Sequence, residues 1–297
     1  MDDLSSRGRG RLASVRATEL AELAEAVAET HCGSGTIEPA AIIVRKGLCL
    51  CVDHYEDAFD GMLEYEAGQF YVHCNLDRDN APESPRGRFT LSHELAHYFI
   101  DEHRNNLIAG APPHPSCSDR ASGDVLVERE ADFFASRLLL PEGRFASACR
   151  RLPVGLGAVK QIAEQFQVSL SCAAVRIVSA EVFPCVLIKW SSEGFCWRWC
   201  SHSFWDYGYR WTVKSLEAFP RDSATARCAS AETPQLFEST TTAAYVFPAV
   251  PQRSFQNLIL REEAISLGKY GQLTLFTLRA PFPPEVVNAR RRELEDE

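Results

Sequence analysis

Residues 89–101 read FTLSHELAHYFID, and the reading of the whole chain turns on them. His93 and His97 lie four apart, with Glu94 directly after the first. On a helix, residues i and i+4 project from one face, about one turn apart. Both imidazoles can therefore meet a single ion at ~2.0–2.1 Å. Glu94 points away from that ion, and from there its carboxylate can serve as general base towards a water held at the metal, the logic of H-E-x-x-H. The competing reading is a buried helix whose histidines bond to neighbouring carbonyls or carboxylates. The remainder of the chain has to discriminate between the two.

A catalytic zinc site needs a third protein ligand and one open position. The stretch VEREADFFASRLLLP, residues 127–141, offers the ligand. Glu128 follows His97 by 31 residues, and Asp132 lies one turn further along the same helical face. One of these carboxylates can bind the ion while the other accepts a hydrogen bond from a ligand imidazole, fixing its tautomer and orientation. Glu130 points roughly 200° around the helix from Glu128 and reads as a surface residue. Alone, such a segment would be a charged helix face; beside H-E-x-x-H it reads as the partner helix of a metal site.

Together, RFTLSHELAHYFI and EREADFFASRLLLP resemble the ImmA/IrrE family of metallopeptidases. That family pairs an R-F-T-x-x-H-E-x-x-H helix with E-x-E-A-(N/D)-x-F-A-x-x-L-L-x-P. The resemblance covers about residues 15–180. Carried over by position, it implies that His93, His97 and Glu128 hold one Zn2+ ion, that Glu94 is the catalytic base, and that Asp132 supports a ligand imidazole. It further implies a zincin-like fold and cleavage of helix-turn-helix repressors in stress or mobile-element responses. In that fold the strand around Tyr71–Asn75 lies beside the cleft, so Tyr71 and Asn75 are expected to bind substrate, with an exposed edge adding an extended peptide as a further strand. Spacing alone does not choose zinc over Mn2+ or Fe2+, since two nitrogens and a carboxylate with open positions suit several ions.

Bulk properties narrow the classes. The 297 residues carry a net charge of −9 with 45% hydrophobic and 24% charged residues, an ordinary globular balance. A net acidic chain argues against binding nucleic acid with its whole surface. No run approaches 18 apolar residues, so no membrane span is expected, and the arginine-bearing N-terminus lacks an apolar signal core. The eleven cysteines form no C-x-x-C pair and read as reduced, mostly buried thiols of a cytoplasmic protein.

Outward from the motif, periodicity predicts a helix over 11–30, a strand at 47–53 and two strands within 61–75 turning at Ala67-Gly68. DRDNAPESPRGR reads as a loop leading to a helix over 89–102, residues 105–123 as a second loop, and 124–140 as a helix. IAEQFQVSLSCAAVRI resembles the two-helix core of a helix-turn-helix, although Gln167 stands where glycine commonly helps the turn. After Phe183, aromatic and β-branched runs predict strands in VFPCVLIKWSSEGFCWRW, TTAAYVFPAV and QLTLFTLRA. All five tryptophans, Trp190, Trp197, Trp199, Trp205 and Trp211, fall in this part and read chiefly as core. RRRELEDE reads as a solvated tail.

The expected architecture is α+β. A zinc metallopeptidase domain would span 1–143, a helix-turn-helix-like segment 144–180 that packs or docks substrate in preference to reading DNA, and a β-rich domain of sensory or recruiting role 181–297. For an oxyanion donor, Tyr71, Tyr98, His73 and His103 are conceivable and none is singled out. The expected activity is metal-assisted peptide hydrolysis on a protein substrate. Its rival is a metal-binding regulator or interaction protein without proteolysis, against which the intact Glu94 speaks.

Overall fold

Leu20, Ala24, Val27 and Ala28 recur at three- and four-residue steps and are buried, which fixes one face of the first helix, α1 (Ser14–Cys32). The computed structural model describes residues 12–116, 125–205, 214–231, 235–249 and 253–278. The RRRELEDE tail, Trp211 and residues 117–123 of the second expected loop lie outside them. The chain forms two compact units, one of residues 10–150 with 162–169, the other including 151–161 and the chain from 170 onward.

In the first unit, α2 (Pro39–Arg45) leads to β1 (Cys49–Asp53), β2 (Gly61–Glu66) and β3 (Gln69–Asn75). Ala67 and Gly68 both take positive φ, 49° and 85°, the two-residue turn whose twist suits a hairpin. β3 pairs antiparallel with β2 and parallel with β1, and a short β4 (His114–Ser116) pairs with β2, giving the order β1-β3-β2-β4. β3 is thus interior. The expected exposed edge at Tyr71–Asn75 is corrected: β1 and β2 already take both sides of that strand, leaving no free ladder for a peptide.

Leu63, Val72 and Cys74 bury one face of this sheet against α3 (Pro85–Phe99). The helix starts four residues before Phe89. Ser84 accepts from the Gly87 N–H at 3.0 Å and Pro85 fills the first helical position, where no amide hydrogen bond is lost. The expected proline-rich loop therefore ends as a helix cap. At the other end Ile100 turns extended (ψ 113°) and α4 (Asp101–Ile108) begins, so helix and strand occupy part of what reads as loop over 105–116. Next come α5 (Val125–Leu139), packed on both α1 and α3, and α6 (Glu142–Cys149).

α7 (Leu156–Phe166) and α8 (Leu170–Ser179) follow at the expected break. Gln167 takes φ 53° and the Val168 N–H reaches the Ala163 carbonyl, so glutamine holds the left-handed helix end that glycine usually serves.

In the second unit, β5 (Cys185–Ser191), β6 (Gly194–Cys200), β7 (Leu236–Thr242), β8 (Ile259–Ser266) and β9 (Gln272–Leu278) form an antiparallel sheet in the order β6-β5-β9-β8-β7. Trp190 is fully buried in an aromatic core with Phe204, Phe219, Phe247, Phe255 and Phe276. One expectation is corrected here. The strand read in TTAAYVFPAV lies earlier, at Leu236–Thr242, because Ala243, Val246 and Phe247 coil inward to fill that core. ILREEAIS, charged at its centre, is an interior strand whose Glu262 and Glu263 are buried at 0% and 1% exposure. The molecule is α+β, and among the described residues no helix is long and apolar enough to cross a membrane.

Candidate metal centre

α3 and α5 lie side by side, and each presents one turn of polar residues to the other. His93, Glu94 and His97 come from α3; Glu128 and Asp132 come from α5. The His93 and His97 Nε2 atoms are 3.2 Å apart. Glu128 closes the triangle, Oε2 at 3.2 Å from His93 Nε2 and Oε1 at 3.8 Å from His97 Nε2. One donor atom from each of the three lies within 4.8 Å of the others.

Asp132 Oδ1 stands 3.2 Å from His93 Nδ1, on the far side of the ring. An N–H there leaves Nε2 as the lone-pair nitrogen facing His97 and Glu128. Burial opposes a charged His93, but the bonds to Asp132 and Glu128 and the nearby Glu94 outweigh it and raise its pKa well above the usual value. The triangle thus favours positive charge at its centre. Two imidazoles and a carboxylate converging on one point fit a divalent cation of the zinc type.

Glu94 is completely buried. Its Oε1 accepts from Ser116 Oγ at 2.7 Å, and the Leu63 N–H also bonds the carboxylate; Oε2 has no hydrogen-bond partner. Burial raises its pKa to about 7, against the lowering effects of the His93 charge and the Ser116 bond. Gly61 lets β2 pass this close: a Cβ there would sit 2.5 Å from Thr90 Cγ2 and 2.8 Å from Glu94 Oε1. Ser116 Oγ also accepts from the Gly61 N–H at 3.1 Å, tying β4 to β2 beside the carboxylate. No sequence signal marks Ser116 or Gly61, because the first falls in a stretch that reads as loop and the second reads as an ordinary strand start.

The remaining candidates are elsewhere. Tyr71 and His73 alternate with the inward Val72 and Cys74 and so leave the sheet on the face away from Glu94. His73 Nδ1 there meets Tyr55 Oη at 3.0 Å and Nε2 meets Glu64 at 3.2 Å. Asn75 is fully buried. Its amide donates to the Glu56 and Phe59 carbonyls at 2.7 Å each and its Oδ1 accepts from Tyr55 and Asp77 N–H, so the expected substrate contact is replaced by a loop brace. Tyr98 packs edge-on against Phe70. His103, its ring 5.1 Å from His97, meets Glu130 at 3.2 Å. Glu130 is corrected from surface to buried: Arg16 grips both its oxygens at 2.9 and 2.8 Å, and this compensates the burial of the charge.

Residues 79–178, which include α3 and α5 entire, match a family model of the Peptidase_M78 type described as an IrrE N-terminal-like domain. This segment is similar to the peptidase domain of the ImmA/IrrE family. Around the IrrE-like domain the wider chain is similar in fold to a Mycobacterium tuberculosis transcriptional regulator, with a TM-score of 0.56 and 14% identity over 87% of this chain and 75% of that one. Identity that low concerns fold alone. No curated protein matches the chain.

Proposed function

We propose that the chain is a zinc-dependent endopeptidase of zincin-like construction. The observation that carries this is the joint geometry of the centre: three ligand atoms within 4.8 Å of one another, and beside them a buried carboxylate with one oxygen fixed and the other unspent. His93, His97 and Glu128 hold the ion, and Asp132 keeps His93 in the tautomer that presents Nε2. A bound ion would supply Lewis acidity, acidifying a water and polarising the scissile carbonyl. Glu94 then receives the water proton on Oε2 and delivers it to the departing amine. Ser116 and the Leu63 amide keep its other oxygen still, so Oε2 stays turned to the proton it receives. The substrate follows from the family likeness: a helix-turn-helix repressor cut at one site. Zinc is the first choice of ion, with manganese and iron compatible with the same donors.

A second reading is a metal-binding regulator without proteolysis, favoured by the fold shared with a transcriptional regulator. The free Glu94 oxygen argues for hydrolysis, since a structural site needs no base. The deciding experiment incubates the protein, with zinc or manganese, with helix-turn-helix repressors encoded beside its gene. A discrete cut by the wild type, and none by a Glu94→Gln variant that still binds one metal, is expected. Equal cutting by that variant would refute the mechanism; no cutting by either, together with a metal-dependent gel shift, would favour the regulator.

A further inference from the structure

His97 packs against two other imidazoles. The His93 ring lies 5.0 Å from it at 66°, and the His103 ring, brought by α4, lies 5.1 Å from it at 38°. His103 is buried and has no part in the hydrolysis proposed above. Its Nε2 stands 3.2 Å from Glu130 Oε2, and a carboxylate only accepts, so this nitrogen carries the N–H. Its Nδ1 has no hydrogen-bond partner, which leaves the Glu130 bond as the tether of the ring. Glu130 is fixed in turn from α1: Arg16 Nε and Nη2 reach its two oxygens at 2.9 and 2.8 Å, the forked geometry that orients both partners. Packing alone would be served as well by an apolar side chain. A histidine whose N–H is aimed at an anchored carboxylate has its ring plane fixed, and it is this ring that meets His97.

We propose that His103 is a positioning residue for His97, and that Arg16 holds it in place through Glu130. The proposal rests on the reading of His93, His97 and Glu128 as metal ligands. Ring orientation governs how well an imidazole nitrogen meets an ion. Asp132 orients His93 by a hydrogen bond; His103 orients His97 by contact. Helix α1, which supplies no ligand, thereby acts on the affinity of the centre.

The test titrates the chelator-treated full chain with Co2+, read by visible absorption under conditions where circular dichroism shows each variant folded. His103→Ala should weaken Co2+ binding about tenfold or more and shift the absorption bands, which report ligand geometry. His103→Gln keeps a donor for Glu130 but has no ring; it should weaken binding as much, and decides the matter if His103→Ala does not fold. Arg16→Met separates positioning from charge. Removing a nearby cation would by Coulombic attraction tighten Co2+ binding, whereas releasing Glu130 and His103 should weaken it severalfold. Leu20→Ala, a core change on the same helix, should lower the melting temperature and leave Co2+ affinity and spectrum unchanged. The proposal is overturned if the folded His103 variants bind Co2+ with wild-type affinity and spectrum, if Arg16→Met binds as tightly as wild type or tighter, or if Leu20→Ala weakens binding as much as they do. Should His97→Ala bind Co2+ like the wild type, or the wild type not bind it, the ligand reading falls and this proposal with it. Binding lost in His97→Ala but intact in the His103 variants would keep the metal centre and remove only its support.

Discussion

Glu94 owes its position to one hydroxyl and one amide on strands far from it in sequence. Ser116 Oγ and the Leu63 N–H both bond its carboxylate, and the missing side chain at Gly61 makes room for it. Ser116→Ala removes an orienting bond without touching substrate, so it should lower kcat about tenfold with little change in KM, and Ser116→Thr should recover most of the loss. A structural defect would instead reduce the active fraction in proportion to lost thermal stability. Gly61→Ala is a different case. Its methyl must displace Thr90 or Glu94, so unfolding in urea should show a loss of about 1–3 kcal/mol, accompanied by loss of cleavage. The residues proposed to hold the metal and to take the proton could be picked out from the H-E-x-x-H and E-x-x-x-D spacings, because a helix converts spacing directly into a face. Ser116 and Gly61 could not, because their roles arise only when β2 and β4 are laid across α3.

At the scale of elements, β8 shows how burial overrides pattern. ILREEAIS has no apolar alternation, yet it lies between β7 and β9 because its carboxylates find donors. Glu262 accepts from the Thr225 backbone and hydroxyl and from Ser239, and Glu263 accepts from the Leu156 N–H and pairs with Arg261. Burial raises the pKa of Glu263, an effect that Arg261 and the Leu156 bond only partly offset. The folded state therefore holds the proton more tightly than the unfolded chain, whose carboxylate titrates near 4.5. Stability from this residue is full below that value and declines as pH rises through the raised one. Glu263→Gln keeps an acceptor for Leu156 and does not ionise, so its stability relative to wild type should increase as pH rises above 4.5 in urea titrations. A constant difference above that pH would show that Glu263 does not ionise against a penalty. The same competition explains α3: Ser84 and Pro85 form a legible cap, but proline and charge nearby gave DRDNAPESPRGR the look of a loop.

For the molecule as a whole, the candidate metal centre would couple function to stability. Its five polar residues come from two helices only, α3 and α5, so a bound ion clamps one helix to the other. Binding to the folded chain alone stabilises it by about 2.7 kcal/mol at a hundredfold excess over Kd. Zinc should accordingly raise the melting temperature of the chelator-treated wild type, and should leave that of His93→Ala nearly unchanged. An equal rise in both would place the ion elsewhere. By itself, the sequence determined the helices α3 and α5, the break between α7 and α8 and the hairpin turning at Ala67-Gly68, all features in which periodicity, capping or turn chemistry acts over a few residues. Only the tertiary structure decided that β3 is interior, that Asn75 braces a loop, that Glu130 is buried under Arg16, and that Ser116 bonds Glu94. Each of those depends on which distant segment supplies the partner, and a partner across the fold leaves no period in the chain.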